Sequence, residues 1–124
     1  MPRPTILVAE SEPNDALSVR KLVLESAKFN VLTAHSTREC LDTFQLFPKI
    51  TLAILVKDGT IDLDLVASEI KKVATHIPII ALTPRVAEKC DAADYTLSSH
   101  DPEELVGLVR SLAGDPRAMK EGSR

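Results

Sequence analysis

Residues 52–56 read Leu-Ala-Ile-Leu-Val, five apolar residues with no polar interruption. A strand with one face in water alternates apolar and polar positions. An unbroken run instead predicts a strand buried on both faces, at the centre of a sheet. Similar runs recur on either side: Thr-Ile-Leu-Val-Ala at 5–9, Asn-Val-Leu-Thr-Ala at 30–34 and Ile-Pro-Ile-Ile-Ala-Leu at 77–82. Pro78 falls near the start of its strand, where a missing N–H costs least. A weaker fifth strand is expected at 94–97.

Between these runs the period changes from two to that of a helix. Pro13, Asn14 and Asp15 open a segment in which Ala16, Val19, Val23 and Ala27 share one face. Ser36 followed by Glu39 is a capping-box signature, with Cys40, Leu41, Phe44 and Phe47 as the apolar face behind it and Pro48 as the stop. Leu63, Val66, Ala67, Ile70 and Val73 mark a third helix, and residues 84–89 at most a short one. Asp101 as N-cap, Pro102 at the first helical position and Glu103 and Glu104 behind it start the last helix. Its buried stripe is Leu105, Leu108, Val109 and Leu112, and Gly114 ends it. Five strands alternating with five helices predict a doubly wound α/β sandwich of three layers, with a parallel five-stranded sheet. One domain over residues 1–114 is expected, followed by a polar tail or linker at 115–124. Strand order 2-1-3-4-5 is one of two common choices for such a sheet, and ligands then sit beyond the carboxyl ends of the strands. The stretches to inspect are 10–13, 56–60, 83–85 and 98–101.

Composition narrows the function. The 124 residues are 44% hydrophobic and 27% charged, which suits one globular domain. A formal charge of −3 offers no general attraction to a polyanion, and 3% aromatic residues give no stacking platform for single strands, so no nucleic-acid partner is expected. No membrane association is expected either, because no apolar run approaches the ~18 residues of a span. Residues 1–5 lead straight into a strand with no signal-peptide pattern, which points to the cytoplasm. Cys40 and Cys90 are expected to be reduced, half-buried packing residues. His35, His76 and His100 are too scattered for a zinc site. The four glycines, Gly59, Gly107, Gly114 and Gly122, leave none after the first strand, which excludes a dinucleotide fingerprint and a P-loop. Glu10 and Glu12 in that loop would repel the phosphate of a flavin mononucleotide and suit a cation instead.

From residue 5 to about residue 112 the chain resembles the response-regulator receiver domain. The matching stretches are Ile-Leu-Val-Ala-Glu-Ser-Glu-Pro at 6–13, Ile-Pro-Ile-Ile-Ala-Leu-Thr at 77–83 and Ala-Asp-Tyr-Thr-Leu-Ser-Ser-His-Asp-Pro-Glu-Glu-Leu at 93–105. The resemblance implies a flavodoxin-like fold and a role in bacterial two-component or phosphorelay signalling. It also implies a phosphorylation site: an aspartate ending the third strand, an acid pair after the first that holds magnesium, a Thr or Ser after the fourth and a Lys after the fifth. A carboxylate nucleophile taking a phosphoryl group needs such cations around the transferred oxygens.

Residue by residue, little of that set is kept. The acid pair is Glu10 and Ser11, with Glu12 near enough to reach in. The phospho-acceptor position is Val56, the lysine position is Ser98, and the following proline is Ser99. Thr83 matches the hydroxyl position and Tyr95 the aromatic that switches orientation in the family. Each retained residue also has a plain structural use: Glu10 as a charge near a helix N-terminus, Thr83 as the start of a turn before Pro84, Tyr95 as packing. The chain is therefore expected to be a degenerate receiver. It would act as a non-enzymatic protein-interaction module with no cofactor, its partner a histidine kinase, an output domain, or a second copy through the fifth-strand and last-helix face. One alternative is a working receiver phosphorylated on Asp58, with Mg2+ held by Glu10, Glu12 and Asp58. Strand periodicity points Asp58 the same way as Val56, although Asp58-Gly59 is a turn dipeptide. The other is a small-molecule sensor using the same cleft.

Overall fold

The computed structural model describes residues 4–10, 19–57, 61–83, 93–98 and 102–114. Among them the order is β1 (Thr5–Ala9), α1 (Val19–Ser26), β2 (Asn30–Ala34), α2 (Thr37–Leu46), β3 (Leu52–Val56), α3 (Leu63–Val73), β4 (Ile79–Thr83), β5 (Tyr95–Ser98) and α4 (Pro102–Ala113). All strand pairings are parallel and the order is β2-β1-β3-β4-β5, as expected. Four helices are described rather than five, because 84–89 lies outside the described residues.

The unbroken apolar runs explain the layering. Successive strand residues point to opposite faces, so each run supplies two cores at once. Leu7, Ala9, Ala53, Leu55, Ile79 and Ala81 enter one core with Cys40 and Phe44 of α2 and Val66, Ala67 and Ile70 of α3. Ile6, Val8, Leu52, Ile54, Val56, Ile80 and Leu82 enter the other with Leu24 of α1 and Leu105, Val106 and Val109 of α4. β3 and β4 are buried at every position, which is why neither shows alternation in sequence.

Several details differ from expectation. Phe47 and Val73 continue the apolar periodicity of α2 and α3 but are 51% and 72% exposed. Both fall at a helix end: Phe47 is the C-cap of α2 and Val73 the last residue of α3. β4 begins at Ile79 and β5 at Tyr95, each displaced toward the carboxyl end of the expected run. Cys40 is fully buried rather than half-buried; burial, helped by the Glu39 charge, pushes its thiol up to about 12, against a smaller opposing effect of its own backbone hydrogen bond. An un-ionised thiol is a poor nucleophile, so this residue is packing. Cys90 lies outside the described residues.

The capping box forms with one change of partner. Ser36 Oγ accepts from Glu39 N–H at 3.0 Å, but the Glu39 carboxylate accepts from His35 N–H at 2.8 Å, one residue before the cap. Asp62 caps α3 by accepting from Leu65 N–H at 3.1 Å, and its own N–H donates to Thr37 Oγ1 at 2.9 Å, tying the starts of α2 and α3 together. Gly114 ends α4 at φ 90, where a side chain would be strained, and its N–H donates to the Arg110 carbonyl at 2.9 Å.

α1 ends in the same left-handed way but with Lys28 at φ 75. Phe29 N–H reaches the Leu24 carbonyl at 3.1 Å and Lys28 N–H the Glu25 carbonyl at 2.9 Å, the bond pair of a Schellman motif. A Cβ in that conformation costs about 1 kcal/mol. Lys28→Gly is accordingly expected to raise the urea midpoint by an amount equivalent to several tenths of a kcal/mol to about 1 kcal/mol, the gain being reduced by the freer unfolded chain. An unchanged or lower midpoint would contradict the strain at this position.

Candidate functional site

The strand ends that a doubly wound sheet offers to ligands converge here on Glu10, Val56, Thr83 and Ser98. Ala9 is level with Leu55, Val56 with Leu82, and Thr83 with Ser98, so the four positions lie within about one residue of each other along the sheet. Ser11, Glu12 and Asp58 lie outside the described residues, as do Ser99 and Arg85.

Glu10 follows directly on β1 and is 4% exposed. Its N–H donates to the Ala34 carbonyl at 3.0 Å, continuing the β1–β2 ladder by one step. Its carbonyl oxygen lies 3.1 Å from His35 Nδ1. A carbonyl only accepts, so this bond requires a hydrogen on Nδ1. His35 was not expected to take part in the site. The signal was available, since it is the first residue beyond the second strand.

Val56 closes β3 and is 5% exposed, packed in the same apolar core as Ile54 and Leu82. Lys57 N–H donates to the Leu82 carbonyl at 2.8 Å, so the β3–β4 ladder runs one residue past it. That places Val56 firmly within the strand, at the position where the resemblance expects the phospho-acceptor. Thr83 ends β4 and is fully buried. Ser98 ends β5 beside it. Tyr95, at the other end of β5, is 40% exposed on the open margin of the sheet.

A parallel sheet in this order is the flavodoxin-like architecture, and an acid after its first strand with a hydroxyl ending its fourth agrees with the receiver resemblance. The response regulator TrrA of Thermotoga maritima, solved in complex with magnesium and BeF, is 30% identical to this chain. The match covers 88% of this chain and 98% of that one, with a TM-score of 0.73. TrrA also matches as solved in complex with the histidine kinase ThkA, at 30% identity over 88% and 97% of the two chains and a TM-score of 0.70. A receiver domain from Clostridium thermocellum shares the fold at 24% identity, with 94% and 98% covered and a TM-score of 0.75. No protein-family model matches the sequence, and neither does any curated protein. The chain belongs to the response-regulator receiver domains.

The magnesium ion held by the family's acid pair requires several oxygen ligands. Of the described strand-end residues, Glu10 carries a carboxylate and Val56 only hydrocarbon. Among the described residues no group of three His, Cys, Asp or Glu side chains could hold a metal ion. The remaining residues of the expected ion site, Ser11, Glu12 and Asp58, lie outside the described residues. Among the described residues no helix is long and apolar enough to cross a membrane.

Proposed function

We propose that this domain is a degenerate receiver, a protein-interaction module of two-component signalling that is not phosphorylated on an aspartate and is not an enzyme. The observation that carries this reading is Val56. The last residue of β3 is a valine buried in the apolar core, so the attacking oxygen of the family's chemistry has no source there. Ser98 compounds the loss, since a hydroxyl brings no positive charge to a transferred phosphoryl group. The domain then stays in one state or is switched by a partner, and needs neither magnesium nor another cofactor. A histidine kinase is the partner class that the TrrA–ThkA complex supports; an output domain is the other candidate, and the cytoplasm is the proposed compartment. The face of β5 and α4, with Tyr95 exposed on its margin, is the surface for that partner or for a second copy.

Incubation with acetyl phosphate and Mg2+, followed by intact-mass measurement, tests the reading. The wild-type domain is expected to gain no phosphoryl mass. A protein that is readily labelled, and loses the label in Asp58→Ala, would replace this reading with that of a working receiver.

A further inference from the structure

β2 is the margin of the sheet opposite β5. In a parallel ladder, alternate residues turn both N–H and C=O toward the same neighbour. Asn30 N–H donates to the Pro4 carbonyl and the Ala34 carbonyl accepts from Glu10 N–H, each at 3.0 Å. Asn30, Leu32 and Ala34 therefore face β1, while Val31 and Thr33 turn their N–H and C=O groups outward. The outward N–H groups on either side of this pair are closed off locally. Phe29 N–H donates to the Leu24 carbonyl at 3.1 Å, and His35 N–H to the Glu39 carboxylate at 2.8 Å. Among the described residues, what remains is a short open edge with defined ends.

Edge strands are commonly guarded by a lysine, a proline or a bulge. Asn-Val-Leu-Thr-Ala has no lysine or proline, and it pairs with β1 residue for residue without a bulge. Beside it opens a cleft of about 540 Å³ whose apolar lining is Phe29, Val31, Leu32 and Phe47. Phe47, which helical periodicity assigns to the core, is half-exposed here, next to Leu46 at 74% exposure. Among the residues lining the cleft Glu25 alone is ionisable.

We propose that this margin binds an extended, basic segment of a partner protein by strand addition. The segment pairs its backbone with Val31 and Thr33, sets an apolar side chain into the cleft against Phe29 and Phe47, and places a Lys or Arg near Glu25. Backbone pairing supplies affinity in this mode, and pockets for alternate side chains supply the choice of sequence. Charge selects the occupant. A second copy would bring an uncharged β2 and a chain of net charge −3 to a cleft whose one ionisable lining residue is Glu25, whereas a basic strand complements that carboxylate.

The probe is the acetylated, amidated heptapeptide Lys-Val-Thr-Val-Thr-Val-Lys, titrated into 15N-labelled protein. Shifts are expected at Glu25, Phe29 to Thr33 and Phe47, with slowed amide exchange at Val31 and Thr33. Glu25→Lys should weaken binding by about tenfold, and so should replacing both peptide lysines with Glu, as a lost charge pairing predicts. Thr33→Pro removes an outward N–H and should abolish the protection at Val31. If that variant does not fold, Glu25→Lys and the acidic peptide still decide. Shifts at β5 in place of β2, or none up to the solubility of the peptide, overturn the proposal. So does concentration-dependent dimerisation that protects Val31 and Thr33 without peptide, which would assign the edge to a second copy.

Discussion

Val56→Asp combined with Ser11→Asp and Ser98→Lys is expected to convert the domain into a phosphoryl acceptor, labelled by acetyl phosphate in the presence of Mg2+, while Val56→Asp alone stays almost unlabelled. In the triple variant an aspartate oxygen attacks phosphorus, acetate leaves, and the protein gains roughly −1.5 to −2 charges at pH 7. The single variant fails for two electrostatic reasons. Position 56 is 5% exposed in an apolar core, and the new carboxyl lies beside the buried Glu10. Desolvation and a like charge both raise its pKa and favour the inert protonated form. Ser11→Asp restores the second acid for magnesium and Ser98→Lys the balancing cation, at the end of β5 next to Thr83. Intact mass and magnesium titration read the outcome. A triple variant that binds magnesium yet takes no phosphoryl group would show that these three positions do not account for the lost chemistry.

That experiment rests on residues legible in the sequence, and the reason is physical. A strand buried on both faces has to be an unbroken apolar run, so β1, β3 and β4 stood out, with β2 between them by spacing. The strand ends follow from those runs and the weaker fifth strand, so the positions of Glu10, Val56, Thr83 and Ser98 along the sheet were readable. Among the described residues periodicity misled at two helix ends, where Phe47 and Val73 are exposed. Lys57 and the edge of β2 act through backbone bonds set by register, which no side-chain pattern announces, whereas the contact of the His35 ring with the Glu10 carbonyl was open to reading from its place just beyond the second strand. The link between Lys71 and Asp94 was hidden for a further reason: two ordinary surface residue types, far apart in sequence, meet only because α3 and β5 both begin or end beside the start of β4.

Asp94→Ala is expected to cost about 2 kcal/mol of stability, the scale of a charge-assisted hydrogen bond together with an orphaned buried donor. Asp94 Oδ2 accepts from Ile79 N–H at 2.8 Å and from Lys71 Nζ at 2.8 Å, and Ile79 is fully buried. Lys71 Nζ also donates to the Ile77 carbonyl at 2.8 Å and lies 3.3 Å from that of Thr75, so one ammonium gathers the end of α3 and the approach to β4. Asp94 N–H donates to the Ile79 carbonyl at 2.9 Å, which sets the first step of the β4–β5 ladder just before Tyr95. Asp94→Asn keeps an acceptor for Ile79 but loses the charge, and should cost about half as much, because the pair with Lys71 is partly solvated. Burial by itself raises the Asp94 pKa, but the Lys71 hydrogen bond, the Ile79 amide and the Lys71 charge outweigh it and hold the carboxyl below its ordinary value. The folded state therefore binds this proton less readily than the unfolded chain. The stabilisation is fully present above the ordinary carboxylate range and fades as pH falls through the lowered pKa. Urea midpoints of wild type and Asp94→Asn should differ at pH 7 and converge toward pH 3 and below. A gap that stays constant across that range would mean that the carboxylate charge contributes nothing to holding β5 against α3.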